Sequence, residues 1–289
     1  MRLLARAALL LFLVLAPASA FALPPVWVVR DADSTMVLFG SVHLLPEGLD
    51  WRPPALKDAL GKADEVWFEA PMDAASQAEA TEAATRNASL PEGQSLLKLL
   101  SRAQRAQLAK AAMALDIPLA QFDRFRPWYA DLVISVDLIE KFGGQRAEGV
   151  ERQLWSGLSP TAKRVGLETP AEQIGFFADM PVKDQLASLK QTLKGVPTVE
   201  RDYKILLDAW TAGDIRRLDR EVVEPLRKSA PGLYAIVVQQ RNARWMTAIT
   251  KRMQGSGVTV VVVGMGHLIG PDGLPTQLRA RGYTVEGPP

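Results

Sequence analysis

Residues 258–267 read Val-Thr-Val-Val-Val-Val-Gly-Met-Gly-His, a run of six β-favouring residues followed by a glycine-rich turn and a histidine. An unbroken apolar run of this length is typical of a strand buried on both faces, as in a parallel sheet. The run therefore predicts a sheet that is covered by helices on both sides. It also places His267 just beyond the carboxyl end of a buried strand.

A second stretch near the other end of the chain has nearly the same order of residues. Residues 37–49 read Val-Leu-Phe-Gly-Ser-Val-His-Leu-Leu-Pro-Glu-Gly-Leu, and residues 261–274 read Val-Val-Val-Gly-Met-Gly-His-Leu-Ile-Gly-Pro-Asp-Gly-Leu. The chain has only two histidines, His43 and His267, and each lies in one of these stretches. Because histidine binds metals and transfers protons near neutral pH, the repetition predicts one site built from both ends of the chain.

Strand-like segments lie near both ends of the chain, and helical segments fill the middle. The predicted strands are residues 26–30, 35–40, 65–70, 163–168, 258–263 and 283–286. This pattern predicts an α/β fold with a central mixed or largely parallel sheet, in which a large helical region forms a cap or insertion. We expect a single domain over residues 23–289, with a helical insertion at about 73–160 and further helices at about 170–255.

Residues 1–22 have the composition of a secretory signal peptide, with a basic start, an apolar run and a small-residue cleavage site. Cleavage is expected after Ala20 or Ala22. A membrane span is disfavoured because the apolar run, residues 7–15, is shorter than the roughly 20 residues that cross a bilayer. The mature chain is therefore expected to be periplasmic or secreted, with no stable membrane anchor.

The composition excludes several classes of function. Loss of residues 1–20 removes Arg2 and Arg6, so Lys+Arg falls from 34 to 32 and equals the 32 Asp+Glu. The mature chain then has no excess of positive charge that would attract nucleic acid, so the composition does not favour a nucleic-acid-binding protein. The chain has no cysteine, which excludes disulfides, zinc–thiolate sites and iron–sulfur clusters.

Four polar residues follow strand-like runs: His43, Glu69, Glu168 and His267. Ligands of open α/β sheets bind at the carboxyl ends of the strands. Two imidazoles and a carboxylate form a familiar ligand set for zinc hydrolases and for non-haem iron enzymes. Such an ion lowers the pKa of the water molecule bound to it, and a second carboxylate can act as the general base that removes a proton from this water. The pattern makes His43 and His267 candidate metal-binding and catalytic residues. Glu69 either completes the ligand set or only leaves the core for solvent, and the candidate ions are Mn, Co, Zn and Fe.

Other residues are candidates for supporting roles. Gly40 and Gly264 each precede a histidine by three residues, and we expect a sharp turn with positive φ at each. Glu168 either orients a histidine or is a carboxylate at the start of the next helix. Arg241 either clamps a carboxylate or oxyanion, as a catalytic residue, or is an exposed helix arginine.

These residues resemble the TraB/PrgY/GumN family, which includes the Tiki proteins. The resemblance rests on two Gly-x-x-His motifs with a glutamate after the first, and it covers about residues 25–289. The matching segments are Gly40–His43, Glu69, Gly166-Leu167-Glu168-Thr169, Glu172-Gln173, Arg241-Asn242 and Gly264–His267. The resemblance implies a metal-dependent protease in which His43, Glu69 and His267 are essential, with Asn242 as a supporting residue. It also implies a distant relation to erythromycin-esterase-like and ChaN-like proteins.

The leading hypothesis is an exported, peptidase-like, metal-dependent hydrolase with a peptide or small-molecule substrate. One alternative is a metal-free, esterase-like hydrolase that uses a histidine as general base. Another is a non-catalytic protein that binds a peptide or a small ligand. The last is that the histidines only stabilise the strand ends.

Overall fold

The computed structural model describes residues 23–288, and the predicted signal peptide lies outside the described residues. A six-stranded mixed sheet forms the centre of the fold. Its strands are β1 (Val26–Arg30), β2 (Ser34–Ser41), β3 (Glu65–Phe68), β4 (Lys163–Gly166), β5 (Gly257–Gly264) and β6 (Thr284–Glu286). Their order across the sheet is β4-β3-β5-β2-β1-β6.

Helices connect and cover these strands. Those before β4 are α1 (Pro54–Lys62), α2 (Ala74–Ala88), α3 (Leu96–Leu99), α4 (Arg102–Ala114), α5 (Leu119–Phe122), α6 (Pro127–Lys141) and α7 (Val150–Gly157). Those after β4 are α8 (Pro170–Ala178), α9 (Val182–Gly195), α10 (Val199–Thr211), α11 (Ile215–Leu218), α12 (Glu224–Ser229), α13 (Pro231–Tyr234), α14 (Arg241–Met253) and α15 (Leu274–Ala280). Short 3₁₀ turns lie at Arg146–Glu148, Val196–Thr198 and Met265–His267, and π-helical turns at Asp219–Val223 and Ala235–Gln240.

Strands β4, β3, β5 and β2 are parallel, so their carboxyl ends meet at one edge of the sheet. Ser41 at the end of β2 pairs with Gly264 at the end of β5, and Phe68 of β3 pairs with Gly166 of β4. Strand β1 forms a hairpin with β2, and β6 pairs antiparallel with β1. The predicted mixed sheet from both chain ends is confirmed, and its topology brings both Gly-x-x-His motifs to one edge.

The burial of β5 explains why its sequence decides the fold. Residues 260–263 are all valine and completely buried, with β2 and β3 paired on either side. Successive side chains of a strand point to opposite faces, so the burial of all four valines shows that both faces of the sheet are covered here. Trp245 of α14 and Leu274 of α15 belong to the same apolar core. Removal of this apolar area from water, at about 25 cal/mol per Å², stabilises the sheet.

The helical region has an apolar core of its own, distinct from the core on the sheet. It includes Leu108 of α4, Ile134 of α6 and Leu189 of α9. Helix α6 packs against α9, and α2 packs against α8. Within residues 23–288, no helix combines the length and the apolar character that a bilayer crossing requires.

Candidate active site

The two histidines face one hollow at the carboxyl edge of the parallel strands. A methyl carbon built on Gly264 would lie 3.1 Å from Glu69 Oε1, 3.6 Å from His43 Nε2 and 3.7 Å from His267 Cδ2. Three side chains from three strand ends therefore surround a single point. The fold explains this, because β2, β3 and β5 are adjacent and parallel.

His267 is held in one orientation by Asn242 of α14. Asn242 Nδ2 donates to the carbonyl oxygens of His267 (3.0 Å) and Asp272 (2.8 Å), so Asn242 Oδ1 is an acceptor. His267 Nδ1 lies 2.7 Å from that oxygen and must therefore carry the proton. Burial lowers the pKa of His267 to about 3, so the ring is neutral, and its Nε2 is an acceptor that lies 3.3 Å from Arg241 Nη1.

His43 is held by a carboxylate from α7. Its Nδ1 lies 2.6 Å from Glu151 Oε1, and the same oxygen accepts a hydrogen bond from the Ser41 hydroxyl. Glu151 is almost fully buried, whereas 61% of the His43 side chain is exposed to the cleft. The negative charge of Glu151 raises the pKa of His43 to about 9. Nδ1 is therefore a donor to Glu151, and Nε2 is the nitrogen that faces the hollow.

Glu69 has both carboxylate oxygens engaged. Oε1 accepts a hydrogen bond from the Gly264 backbone N–H at 2.7 Å and lies 3.6 Å from His267 Nε2. Oε2 accepts from Arg241 at 2.5 Å and from Gln173 at 3.2 Å. Burial raises the pKa of Glu69, but the positive charges of Arg241 and of protonated His43, with the hydrogen bond from the Gly264 N–H, outweigh burial and hold the pKa well below its usual range. Glu69 is therefore ionised at neutral pH.

Arg241 links the two glutamates that follow β3 and β4. Its guanidinium donates to Glu69 and to both oxygens of Glu168, and its Nη1 lies 3.3 Å from His267 Nε2. The Arg241 side chain is only 8% exposed, so the interpretation as an exposed helix arginine is wrong. Its guanidinium also packs over the Trp245 ring, with 4.7 Å from Cζ to the ring centroid.

Glu168 supports this arginine and not a histidine. Its carboxylate accepts from Arg241, from Trp245 Nε1 at 3.2 Å and from Gln173 at 3.0 Å. Burial raises the pKa of Glu168, although Arg241 opposes the shift. A capping box follows at the start of α8: Thr169 Oγ1 accepts from the Glu172 N–H at 3.1 Å, and the Glu172 carboxylate accepts from the Thr169 N–H at 2.7 Å.

The expected positive φ at Gly40 and Gly264 is wrong. Neither is among the positive-φ glycines of the described residues, and Gly264 has φ −50°. Space is the physical reason for glycine at both positions. A side chain on Gly264 would enter the hollow, and a Cβ on Gly40 would lie 2.6 Å from Met265 Sδ. The Gly40 carbonyl oxygen also accepts a hydrogen bond from Trp210 Nε1 at 2.9 Å.

Sequence reasoning missed two residues of the site, Glu151 and Trp245. Trp245 follows Arg241 by four residues on one helix, and this spacing places both on one face, so the signal was available. Glu151 has no comparable signal. It reaches His43 because α7 begins against β2, where the Val150 N–H donates to the Val42 carbonyl at 3.1 Å.

The donor atoms around the hollow suit a divalent cation. Glu69 is ionised and can bind the ion directly. His267 Nε2 would bind it in place of its hydrogen bond from Arg241 Nη1, and His43 Nε2 would bind it after losing its proton. Within the part of the chain that the structure describes, however, no group of three or more His, Asp or Glu side chains is already spaced to hold a metal ion. Since Arg241 occupies Glu69 Oε2, ligation by Glu69 would use Oε1, which faces His267.

Two cavities meet at this centre. Both are lined by His43, Glu69 and Arg241. One has a volume of 310 Å³ and lies on the His267 side, and the other has a volume of 430 Å³ and lies beside α2 and α8. A substrate can therefore extend from the polar centre in two directions.

The fold and the site together define an α/β protein whose parallel strands end in a centre of two histidines, a glutamate and an arginine. The chain belongs to the TraB/PrgY/gumN family, whose model matches residues 25–287. This finding confirms the resemblance seen in the Gly-x-x-His motifs. Comparison with curated proteins and with solved structures gave no match.

Proposed function

We propose that this protein is a peptidase-like, metal-dependent hydrolase in which His43, Glu69 and His267 bind a divalent ion, with Mn, Co, Zn or Fe as candidates. One observation carries the proposal: two histidine side chains converge beside Glu69, each with Nδ1 bound to a fixed acceptor. Metal-ligating histidines are usually held in this way, because the bond at one nitrogen orients the lone pair of the other.

A divalent ion at this position would polarise a substrate carbonyl group and make water a stronger nucleophile. Glu69 is ionised and lies beside the hollow, so it can bind the ion or accept a proton from water. Arg241 holds Glu69 in place and lines both cavities, so it can also donate to negative charge that develops on the substrate. Glu168 is fully engaged by Arg241, Trp245 and Gln173, which disfavours it as the base.

The metal-free alternative has some support from the His43–Glu151 pair. A carboxylate bound to Nδ1 is the arrangement that orients a histidine base in nucleophilic hydrolases. With a pKa of about 9, however, the metal-free His43 is a proton donor at neutral pH and not a base. Metal binding also requires His43 to lose this proton, so the pKa does not separate the two hypotheses. The metal-dependent one is preferred because two oriented histidines converge beside Glu69.

The function is tested by incubating the protein with a defined peptide mixture and identifying products by mass spectrometry. We expect cleavage that a chelator abolishes and that Mn, Co, Zn or Fe restores. Cleavage that is insensitive to chelation but lost in His43→Ala would support the metal-free hydrolase. Stoichiometric peptide binding without products would support the binding protein.

Glu151→Gln should reduce the activity or the metal affinity by roughly 10- to 100-fold, the usual cost of losing the group that orients a ligating histidine. The change keeps the shape of the side chain but removes the charge that holds the His43 Nδ1 proton. Glu148→Gln is the matched control, since Glu148 lies just before α7 and accepts a hydrogen bond from Gln153. Equal activities of the two variants would contradict a role of Glu151 in positioning His43.

We also propose that the protein is exported to the periplasm or the exterior, because residues 1–22 have the composition of a signal peptide. Amino-terminal sequencing of the protein from its native compartment should find Phe21 or Leu23 as the first residue. A chain that keeps Met1 and stays in the cytoplasm would contradict this proposal.

A further inference from the structure

The 310 Å³ cavity on the His267 side is walled almost entirely by aliphatic side chains. Its wall includes Leu206, Leu218, Val222, Val223, Val237 and Val238. Its charged lining groups are those of the polar centre, His43, Glu69, Arg241 and His267. Tyr203 also lines it, with its hydroxyl donating to the Leu44 carbonyl at 3.0 Å. The cavity is therefore an apolar space that opens directly onto that centre.

Two π-helical turns form part of this wall. Asp219–Val223 contributes Val222 and Val223, and Ala235–Gln240 contributes Val237 and Val238. Such turns are rare and occur often at functional sites. The second turn leads directly into Arg241, so the same irregular backbone shapes the apolar wall and positions the arginine.

The second cavity differs in chemistry. Besides aliphatic side chains such as Leu132, it is lined by the polar residues Gln77, Arg152 and Gln173 and by the aromatic rings of Phe176 and Phe177. A substrate that crosses the centre therefore meets an aliphatic wall on one side and polar and aromatic groups on the other. This asymmetry can fix the direction in which a peptide lies.

We infer that the aliphatic cavity binds a large aliphatic side chain, such as that of leucine, isoleucine, methionine or valine, next to the peptide bond that is cleaved. The inference rests on the proposed hydrolase function. An apolar cavity of about 150 Å³ can hold benzene, so a cavity of 310 Å³ has room for a leucine side chain and part of its backbone. A charged side chain is disfavoured there, because it would be buried without a partner among the aliphatic groups.

The test compares two peptides that differ only at the residue next to the cleaved peptide bond, which is leucine in one peptide and glycine in the other. We expect kcat/KM to be roughly tenfold or more higher for the leucine peptide, the scale on which apolar pockets discriminate. Val222→Trp should fill the cavity from its rim, where Val222 is 37% exposed, and should remove this preference. Val182→Trp is the matched control, since Val182 is an exposed valine of α9 that lines neither cavity.

A binding measurement separates this inference from the proposed function. N-acetyl-leucinamide and N-acetyl-glycinamide are added to the protein, and binding is followed by ligand-observed NMR. We expect the leucine probe to bind and the glycine probe not to bind. If Val222→Trp loses this binding and Val182→Trp keeps it, the result supports the aliphatic cavity as the binding site even when no peptide is cleaved. Cleavage without a preference for leucine overturns the inference and leaves the hydrolase standing. If neither cleavage nor leucine-specific binding occurs, both proposals fail.

Discussion

Replacing Arg241 by methionine should lower the free energy of unfolding by about 3–5 kcal/mol, the cost of leaving a buried charge without its partner. The change leaves Glu69 and Glu168 buried side by side with no guanidinium between them. Their side chains are only 10% and 1% exposed, so water cannot replace the lost bonds. For a chain of this size the loss corresponds to a fall in Tm of roughly 6–20 °C, measurable by calorimetry or circular dichroism.

Arg244→Met is the control for this prediction. Arg244 contacts the same Glu168 carboxylate, but at 3.4 Å and with 46% of its side chain exposed. Solvent screens such a pair, so the change should cost about 1 kcal/mol or less. If Arg241→Met is no more destabilising than Arg244→Met, then Arg241 does not neutralise the two glutamates as the geometry indicates.

Gly264→Ala should reduce activity by roughly 10- to 100-fold, the usual cost of disturbing the groups that surround a metal-binding residue. The added methyl would occupy the point that Glu69, His43 and His267 surround, 3.1 Å from Glu69 Oε1. With φ −50° the backbone already has a conformation that alanine adopts, so folding should change by less than about 1 kcal/mol. Activity and unfolding measured together distinguish a blocked site from an unfolded protein.

Gly266→Ala gives the matched comparison, since it lies in the same turn and its added Cβ meets no atom within 4 Å. Gly266 lines the 310 Å³ cavity, so the comparison is made on bound metal and stability, both of which this variant should keep. Full activity in Gly264→Ala would mean that the hollow between the histidines is not where the reaction occurs.

The position of the two histidines could be predicted because it depends on local pattern and simple topology. The valine run of β5 and the apolar run of β2 identify buried strands, and parallel strands end at a common edge. Glu69 follows from the same reasoning, since it comes directly after β3. These inferences need only the periodicity of the sequence and the rule that sites lie at strand ends.

The surroundings of these residues could not be predicted in the same way. The burial of Arg241 depends on α14 packing across the ends of β3 and β4, where it meets Glu69 and Glu168. The role of Glu151 depends on α7 beginning beside Val42, the residue that follows β2. Glycine at position 264 suggested that the backbone needs a positive φ. The structure shows instead that a side chain there would enter the hollow between the histidines. Each is a long-range contact that has no trace in the neighbouring sequence.

The metal content of the folded protein tests the central claim most directly. The protein is loaded separately with Mn, Co, Zn and Fe, freed of excess ion, and its bound metal is measured by elemental mass spectrometry. The His43→Ala and Gly266→Ala variants are treated in the same way. We expect about one tightly bound ion per chain in the unchanged protein and in Gly266→Ala, and loss of that ion in His43→Ala, since catalytic metal sites use three protein ligands. A folded protein that takes up none of the four ions, or a His43→Ala variant that keeps the ion, would contradict a metal centre between the two histidines.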